Sequence, residues 1–240
     1  VTTSVTSQKK TNVYLTLQDT TVWADYKISN SGIPSNTLTC VEIDLNQKIW
    51  MGTTNNGVAI FDKKEWSYLN TSNSLLPSNN IKSIKKDDNG NIWIGTDKGL
   101  VKYNNSILQI YSTNNSVLPN NTIQDIATSG NIVWIATYSG LVKIDNGNMS
   151  VFNTSNSSIV SNQITCVAVS KTGILYAGTA QNGIIIKDGD TFYNKSTLNA
   201  NIPSNSISTI EIDNQNNVWF GHLPTSSESG GISYLNNGVF

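Results

Sequence analysis

Five times the 240-residue chain returns to a string of the type hydrophobic–aromatic–x–Gly–Thr: IWMGT (49–53), IWIGT (92–96), VWIAT (133–137), LYAGT (175–179) and VWFGH (218–222). The aromatics Trp50, Trp93, Trp134, Tyr176 and Trp219 stand 43, 41, 42 and 43 residues apart. Two more landmarks keep that step: an Asn-bearing pair beginning at 35, 78, 120, 161 and 204, and a glycine at Gly57, Gly99, Gly140, Gly183 and Gly231. A fixed period of this length marks a repeat architecture. In such folds each copy is one supersecondary unit that cannot bury its own faces and must stack on its neighbours.

Each copy reads as four short strands. A β-rich run such as LTCVEID (38–44) leads into a polar turn, and the aromatic strand follows. Next come a turn ending in glycine, a strand such as VAIF (58–61), and a last strand near Trp66, Leu108, Met149 or Phe192. Asn-Gly pairs at Asn56, Asn89, Asn146, Asn182 and Asn237 suit tight hairpins, whose central residues need positive φ. No segment sustains a 3.6-residue period, so helix is not expected. Four strands in about 42 residues is the signature of a β-propeller blade. Strands apolar on both sides, such as GIIIK, then face a neighbouring blade on each side, and the repeated aromatic is a wedge between blades.

The fold expected is all-β, a five-bladed propeller of four-stranded antiparallel blades. The repeats fall at about 35–77, 78–119, 120–160, 161–203 and 204–240 plus 22–34. The turn glycine precedes the fourth-strand landmark by nine residues in the first four copies, and Gly231 plus nine is Phe240. Trp23 lies eleven residues before Pro34, as Trp66 does before Pro77. Residues 22–30 therefore read as an orphan outer strand that completes the last blade and closes the ring, which removes an open edge. Residues 12–18 (NVYLTLQ) resemble a third strand that such a ring does not need, so a piece of a six- to eight-bladed ring is the competing reading. Residues 1–11, rich in Thr, Ser and Lys, are expected to be a flexible leader to a single domain over 12–240.

Composition excludes several functions. Charged residues make up 13% of the chain, against about 25% in typical domains. With 15 Lys+Arg against 16 Asp+Glu there is no basic field for nucleic acid. No apolar run approaches the ~18 residues a membrane-spanning helix needs. The two cysteines, Cys40 and Cys166, cannot cage a metal alone and are expected to be free thiols. The one histidine, His222, removes mechanisms that need a His pair. No metal and no cofactor are expected.

The string NNIKSIKKDDNGNIWIGTDKGLVKY (79–103) resembles the two-component regulator propeller repeat, whose pattern is roughly N-x-I-x-x-I-x-x-D-x-x-G-x-I-W-I-G-T-x-x-G-L. The other copies match with drift, Ala136 for Gly, Tyr176 for Trp and His222 for Thr, and the resemblance covers about 35–240. It implies a propeller and an exported protein, periplasmic, cell-surface or extracellular. Such repeats commonly form periplasmic sensor regions of hybrid histidine kinases in Bacteroidetes-type bacteria, where they bind breakdown products of polysaccharides. They also occur in secreted and surface proteins of the same organisms.

Columns on which the copies agree are those the fold demands, so a column that breaks ranks is where a site is sought. The loop after the Gly-Thr string is short in four copies and swells to LPTSSESGG (223–231) in the fifth. The candidate ligand-binding residues are Thr54, Asp97, Lys98, Tyr138 and Gln181 on the sister loops, with His222 and Glu228. A neutral, Asn-rich surface (34 Asn) with a few aromatics suits sugar hydroxyls, although Asn is also ordinary turn chemistry. The function expected is a monomeric, non-catalytic extracytoplasmic binding or scaffold module with a glycan or protein partner. Two alternatives are a lyase or hydrolase built on His222 with Asp97 and Glu228, and a structural adhesion or assembly domain. Propeller lyases of the streptogramin-cleaving type use a histidine-based site with a metal, which a lone His does not favour. The turn residues Asp87, Asp88 and Asn89 are read as a solvated hairpin in preference to a calcium loop.

Overall fold

The computed structural model of the chain describes residues 24–104 and 106–236. Every element among them is a β-strand, and no helix is long and apolar enough to cross a membrane. Blade 1 holds β1 (Leu38–Ile43), β2 (Ile49–Thr53), β3 (Val58–Phe61) and β4 (Trp66–Leu69), and blade 2 holds β5 (Ile81–Lys86), β6 (Ile92–Thr96), β7 (Leu100–Asn104) and β8 (Ile107–Tyr111). Blade 3 holds β9 (Ile123–Ser129), β10 (Ile132–Thr137), β11 (Gly140–Asp145) and β12 (Asn148–Phe152). Blade 4 holds β13 (Ile164–Val169), β14 (Leu175–Thr179), β15 (Ile184–Asp188) and β16 (Thr191–Lys195). Blade 5 holds β17 (Ile207–Ile212), β18 (Val218–His222) and β19 (Gly231–Leu235). Each sheet is an antiparallel meander in chain order, four-stranded in the first four blades and three-stranded in the fifth. Five antiparallel sheets in sequence are the propeller architecture the repeats imply.

The first strands line the axis and pack in succession, β1 on β5, β5 on β9, β9 on β13 and β13 on β17. Each first strand slips register by one residue near its start, so a bulge recurs in all five blades. The core lies between blades. Trp50, Val58 and Ile60 of blade 1 pack on Ile81, Ile84 and Ile94 of blade 2. The same residue columns form the contacts from blade 2 to 3, 3 to 4 and 4 to 5. The repeated aromatic is thus the expected wedge. Glycine follows it by two positions in four blades, and in blades 1, 2 and 4 a Cβ there would press on the next blade, within 2.6 Å of Ile123 in the case of Gly95, while blade 3 accommodates Ala136.

Two polar devices recur, the first in blades 1, 2 and 5 and the second in the loops between blades. The turn aspartate six residues before the tryptophan accepts its indole N–H, at 2.9 Å for Asp44–Trp50, 2.8 Å for Asp87–Trp93 and 3.2 Å for Asp213–Trp219. The Asp87 carboxylate also accepts from the backbone and side chain of Asn91, so it is the buried anchor of its hairpin and not the solvated group expected from the sequence. The inter-blade loops are tied by asparagine. Asn79, Asn121, Asn162 and Asn205 each accept the N–H of the residue eight positions earlier, at 2.8–2.9 Å. Much of the asparagine content is therefore internal scaffolding for loops.

Residues 24–36 repeat that loop. Asn36 accepts from Ile28 N at 3.0 Å, and Asn30 accepts from Lys27 N at 2.7 Å and donates to Asp25 O. Tyr26 packs on Phe61 (5.2 Å between centroids) and Trp66 (5.8 Å) of blade 1. The expectation that 22–30 complete blade 5 is not met by the described residues. Residues 22 and 23 lie outside them, 24–30 form loop and turn, and the described blade 5 has three strands. The Tyr26 contact with blade 1 is one that Phe152, at the end of the outer strand of blade 3, also makes with Phe192 of blade 4. Residues 1–11 and 12–18 also lie outside the described residues.

Candidate functional site

Strand direction sorts the loops onto two ends of the propeller. The second-to-third-strand turns and the inter-blade loops share one end, and the first-to-second-strand turns lie at the other. Thr54, Asp97, Lys98, Tyr138 and Gln181 follow the second strands of blades 1 to 4 and so share the inter-blade-loop end. Lys98, Tyr138 and Gln181 are exposed, and Thr54 and Asp97 half-buried.

Asp97 is the most tightly framed of these. Its Oδ2 accepts from Asn80 Nδ2 at 3.3 Å, and its backbone carbonyl accepts from the Thr122 hydroxyl at 3.3 Å, so the loops on both sides of blade 2 hold it. Its Oδ1 is buried and, among the described residues, has no hydrogen-bond partner. A buried carboxylate oxygen without a donor is costly.

His222 and Glu228 both carry hydrogen bonds that hold blade 5 and its loop. In the other blades the equivalent residue is a buried threonine whose hydroxyl clasps the next turn: Thr53 donates to Gly57 O, Thr96 to Gly99 O, Thr137 to Gly140 O and Thr179 to Gly183 O, at 2.7–2.8 Å. Blade 5 has no short turn to clasp. There His222 is buried, with Nδ1 2.6 Å from Ser204 O and Nε2 2.7 Å from Ser233 Oγ. A carbonyl can only accept, so Nδ1 carries the proton and Nε2 accepts from Ser233. Burial holds the imidazole below its usual pKa, which keeps it neutral. Glu228 folds back onto the loop between blades 4 and 5 and accepts from Ser204 Oγ (2.9 Å), Asn205 N (2.9 Å) and Asn205 Nδ2 (2.8 Å). These bonds, led by the Asn205 N–H, hold its pKa down. Both residues meet Ser204 but not Asp97, whose partners are on the loops flanking blade 2. The three groups of the enzyme alternative are therefore not assembled around one point, and both nitrogens of the histidine are spoken for. The described residues hold no group of three or more His, Cys, Asp and Glu able to bind a metal.

Sequence reading missed the axis. A cavity of 410 Å³ is lined by all five first strands, including Glu42, Lys85, Asp125 and Glu211. It draws mainly on the C-terminal halves of those strands, toward the end opposite the candidate loops, and none of the seven candidate residues lines it. Asp125 ties three blades together: Oδ1 accepts from Ser83 Oγ (3.0 Å) and Ile126 N (2.8 Å), and Oδ2 from Val167 N (3.0 Å). Burial pushes its carboxyl up despite those donors. A signal was available, because Asp125 is the one charged residue in the column Cys40, Ser83, Asp125, Cys166, Thr209. Both cysteines of that column are free, as expected, and burial pushes the Cys166 thiol up to about 12.

Residues 75–98 and 201–223 match the two component regulator propeller family model. No protein of curated function matches the chain. Among solved structures, the extracellular domain of a hybrid two component system from B. thetaiotaomicron is 27% identical, with a TM-score of 0.70 over 83% of this chain and 28% of its own. A second such domain from the same organism is 19% identical, with a TM-score of 0.64 over 84% of this chain and 28% of its own. Virginiamycin B lyase from Staphylococcus aureus is 14% identical, with a TM-score of 0.62 over 88% of this chain and 73% of its own. The chain thus spans less than a third of the two-component domains it matches.

Proposed function

We propose that this chain, which carries two-component regulator propeller repeats, is a non-catalytic extracytoplasmic module that binds a glycan at its inter-blade-loop end. The likeness to extracellular domains of hybrid two component systems supports export and a binding role. The observation that carries the site is the unpaired, buried Oδ1 of Asp97. A small shift of the Asp97 side chain that uncovers this oxygen lets a sugar hydroxyl donate to it, while the flanking Lys98 amine donates to a second oxygen. The exposed ring of Tyr138, one blade further on, offers an apolar face to the sugar ring. The locked, neutral His222 supports a binding module over an enzyme, even though a lyase shares the fold.

Titration calorimetry against a panel of plant, algal and host oligosaccharides tests this reading. An Asp97→Asn chain is expected to bind its ligand about 10- to 100-fold more weakly, the loss of one hydrogen bond to a charged group. A His222→Gln chain that still folds is expected to bind normally. Absence of binding to every glycan, or turnover of a substrate that His222→Gln abolishes, would refute it.

A further inference from the structure

We infer that Asn146, at the tip of the β11–β12 hairpin, is a site of spontaneous deamidation that the fold sets apart from the other Asn-Gly pairs. Local sequence does not separate them, since Asn56, Asn89, Asn146 and Asn182 all precede a glycine. The reaction needs the backbone nitrogen of that glycine to reach the side-chain carbonyl of the asparagine. Glycine permits the approach because it has no Cβ. What decides the rate is then whether the nitrogen is free and the turn can open locally.

In three of the pairs the nitrogen is held. Gly57 N donates to Asn79 O at 2.9 Å and Gly183 N to Asn205 O at 2.8 Å, so each is tied to the loop that leads into the next blade. Both glycines are buried. The asparagines before them are fixed as well, with Asn56 N donating to the Thr53 hydroxyl at 2.9 Å and Asn182 N to the Thr179 hydroxyl at 2.8 Å. Gly90 N donates to Asp87 O at 2.9 Å, inside the turn that the Asp87 carboxylate anchors. Gly147 differs. Among the described residues its N–H has no hydrogen-bond partner, and both it and Asn146 are exposed. A Cβ placed on it would meet nothing within 4 Å. Strands β11 and β12 pair Asp145 with Asn148, so Asn146 (φ 49°) and Gly147 (φ 82°) are the whole turn. Reaching the geometry of attack disturbs this tip and no contact between blades.

The chemistry needs only water. The Gly147 nitrogen bonds to Asn146 Cγ, the Cγ–Nδ2 bond breaks, and Nδ2 leaves as ammonia with the proton that the Gly147 nitrogen gives up. Water then opens the cyclic imide, at Cγ to give aspartate or at the Asn146 backbone carbonyl to give isoaspartate. Either product changes the tip. The Asn146 amide donates to Asp145 Oδ1 at 3.0 Å, and a carboxylate in its place faces one that already pairs with Lys143. Isoaspartate also lengthens the backbone of a turn only two residues long.

Incubation of the folded chain in mildly alkaline buffer, followed by proteolysis and tandem mass spectrometry, reads each site separately. Asn146 is expected to convert at least ~10-fold faster than Asn56, Asn89 or Asn182, the factor that opening one hydrogen bond costs a held site. The same incubation in urea is expected to bring the four rates together. Asn146→Asp, with its fold verified by circular dichroism, is expected to lose the early phase of ammonia release. A folded chain that converts at any of the other three sites as fast as at Asn146 would overturn the inference. So would an Asn146 that stays intact in the folded chain while urea makes it react. An order of rates that urea leaves unchanged would overturn it too, by placing the cause in local sequence. The tip lies at the end opposite the candidate glycan loops, so Asn146→Asp is expected to leave glycan binding unchanged, and the two readings fail separately.

Discussion

Blade 2 and blade 5 start from the same landmarks and end differently. In blade 2 the tryptophan is buried between neighbours, a threonine clasps a three-residue turn, and a fourth strand covers the third. In blade 5 the equivalent tryptophan is partly in solvent, a histidine replaces the threonine, the turn has grown to a loop, and the described sheet stops at three strands. The local hydrogen bond from Asp213 to Trp219 survives, but the packing does not. The difference separates what a repeat specifies by itself, its strands and turn anchors, from what it obtains only from a neighbour, its burial.

The largest expected effect breaks the wedge. Trp93→Ala should cost about 3–5 kcal/mol in urea unfolding, as large aromatic truncations in a core do, because it empties a packed seam and leaves Asp87 without its indole partner. Trp219→Ala should cost less than half of that. Equal costs would mean that blade 5 is as enclosed as blade 2. Next in size is the turn clasp. Thr96→Val keeps the shape but leaves Gly99 O and Lys98 N without the hydroxyl, at about 1–2 kcal/mol. Smallest is a change in pH dependence. His222 has its pKa lowered by burial, so the stability it contributes is fully present above its unfolded pKa of about 6.5. That stability is lost as the pH falls through the folded value. Thermal unfolding from pH 8 to 5 should therefore show a downward slope in stability on acidification that His222→Gln flattens. A slope unchanged in the variant would place the titration elsewhere.

Most of the fold could be read because its determinants are local and repeated five times: the aromatic, the following glycine and the Asn-bearing loop recur in every copy, and each has a mechanical reason. The bond from Asp44, Asp87 and Asp213 to the tryptophan six residues later was legible too, as a D-x5-W spacing, but acidic turn residues invite a reading as solvated groups. Ring closure was not legible. The arithmetic that reads 22–30 as an orphan outer strand is consistent with the loop at 24–36, yet counting residues cannot say which blade a segment pairs with, and the contact of Tyr26 with Phe61 and Trp66 is of the kind that Phe152 of blade 3 makes with Phe192 of blade 4. His222 stood out correctly as a break in its column. The reason for the break, a missing short turn, depends on Ser204 and Ser233, eighteen and eleven residues away in sequence. Asp125 was visible only by comparing the axial column, and its three donors come from three blades.

Hydrogen exchange on the third strands tests most directly the claim that a blade's burial is supplied by its neighbours. Strands β7, β11 and β15 are paired on both edges, whereas β19 is paired only with β18 among the described residues. The account predicts that the Gly231–Leu235 amides directed away from β18 exchange orders of magnitude faster than their equivalents in Leu100–Asn104. Equal protection of the two strands would contradict it.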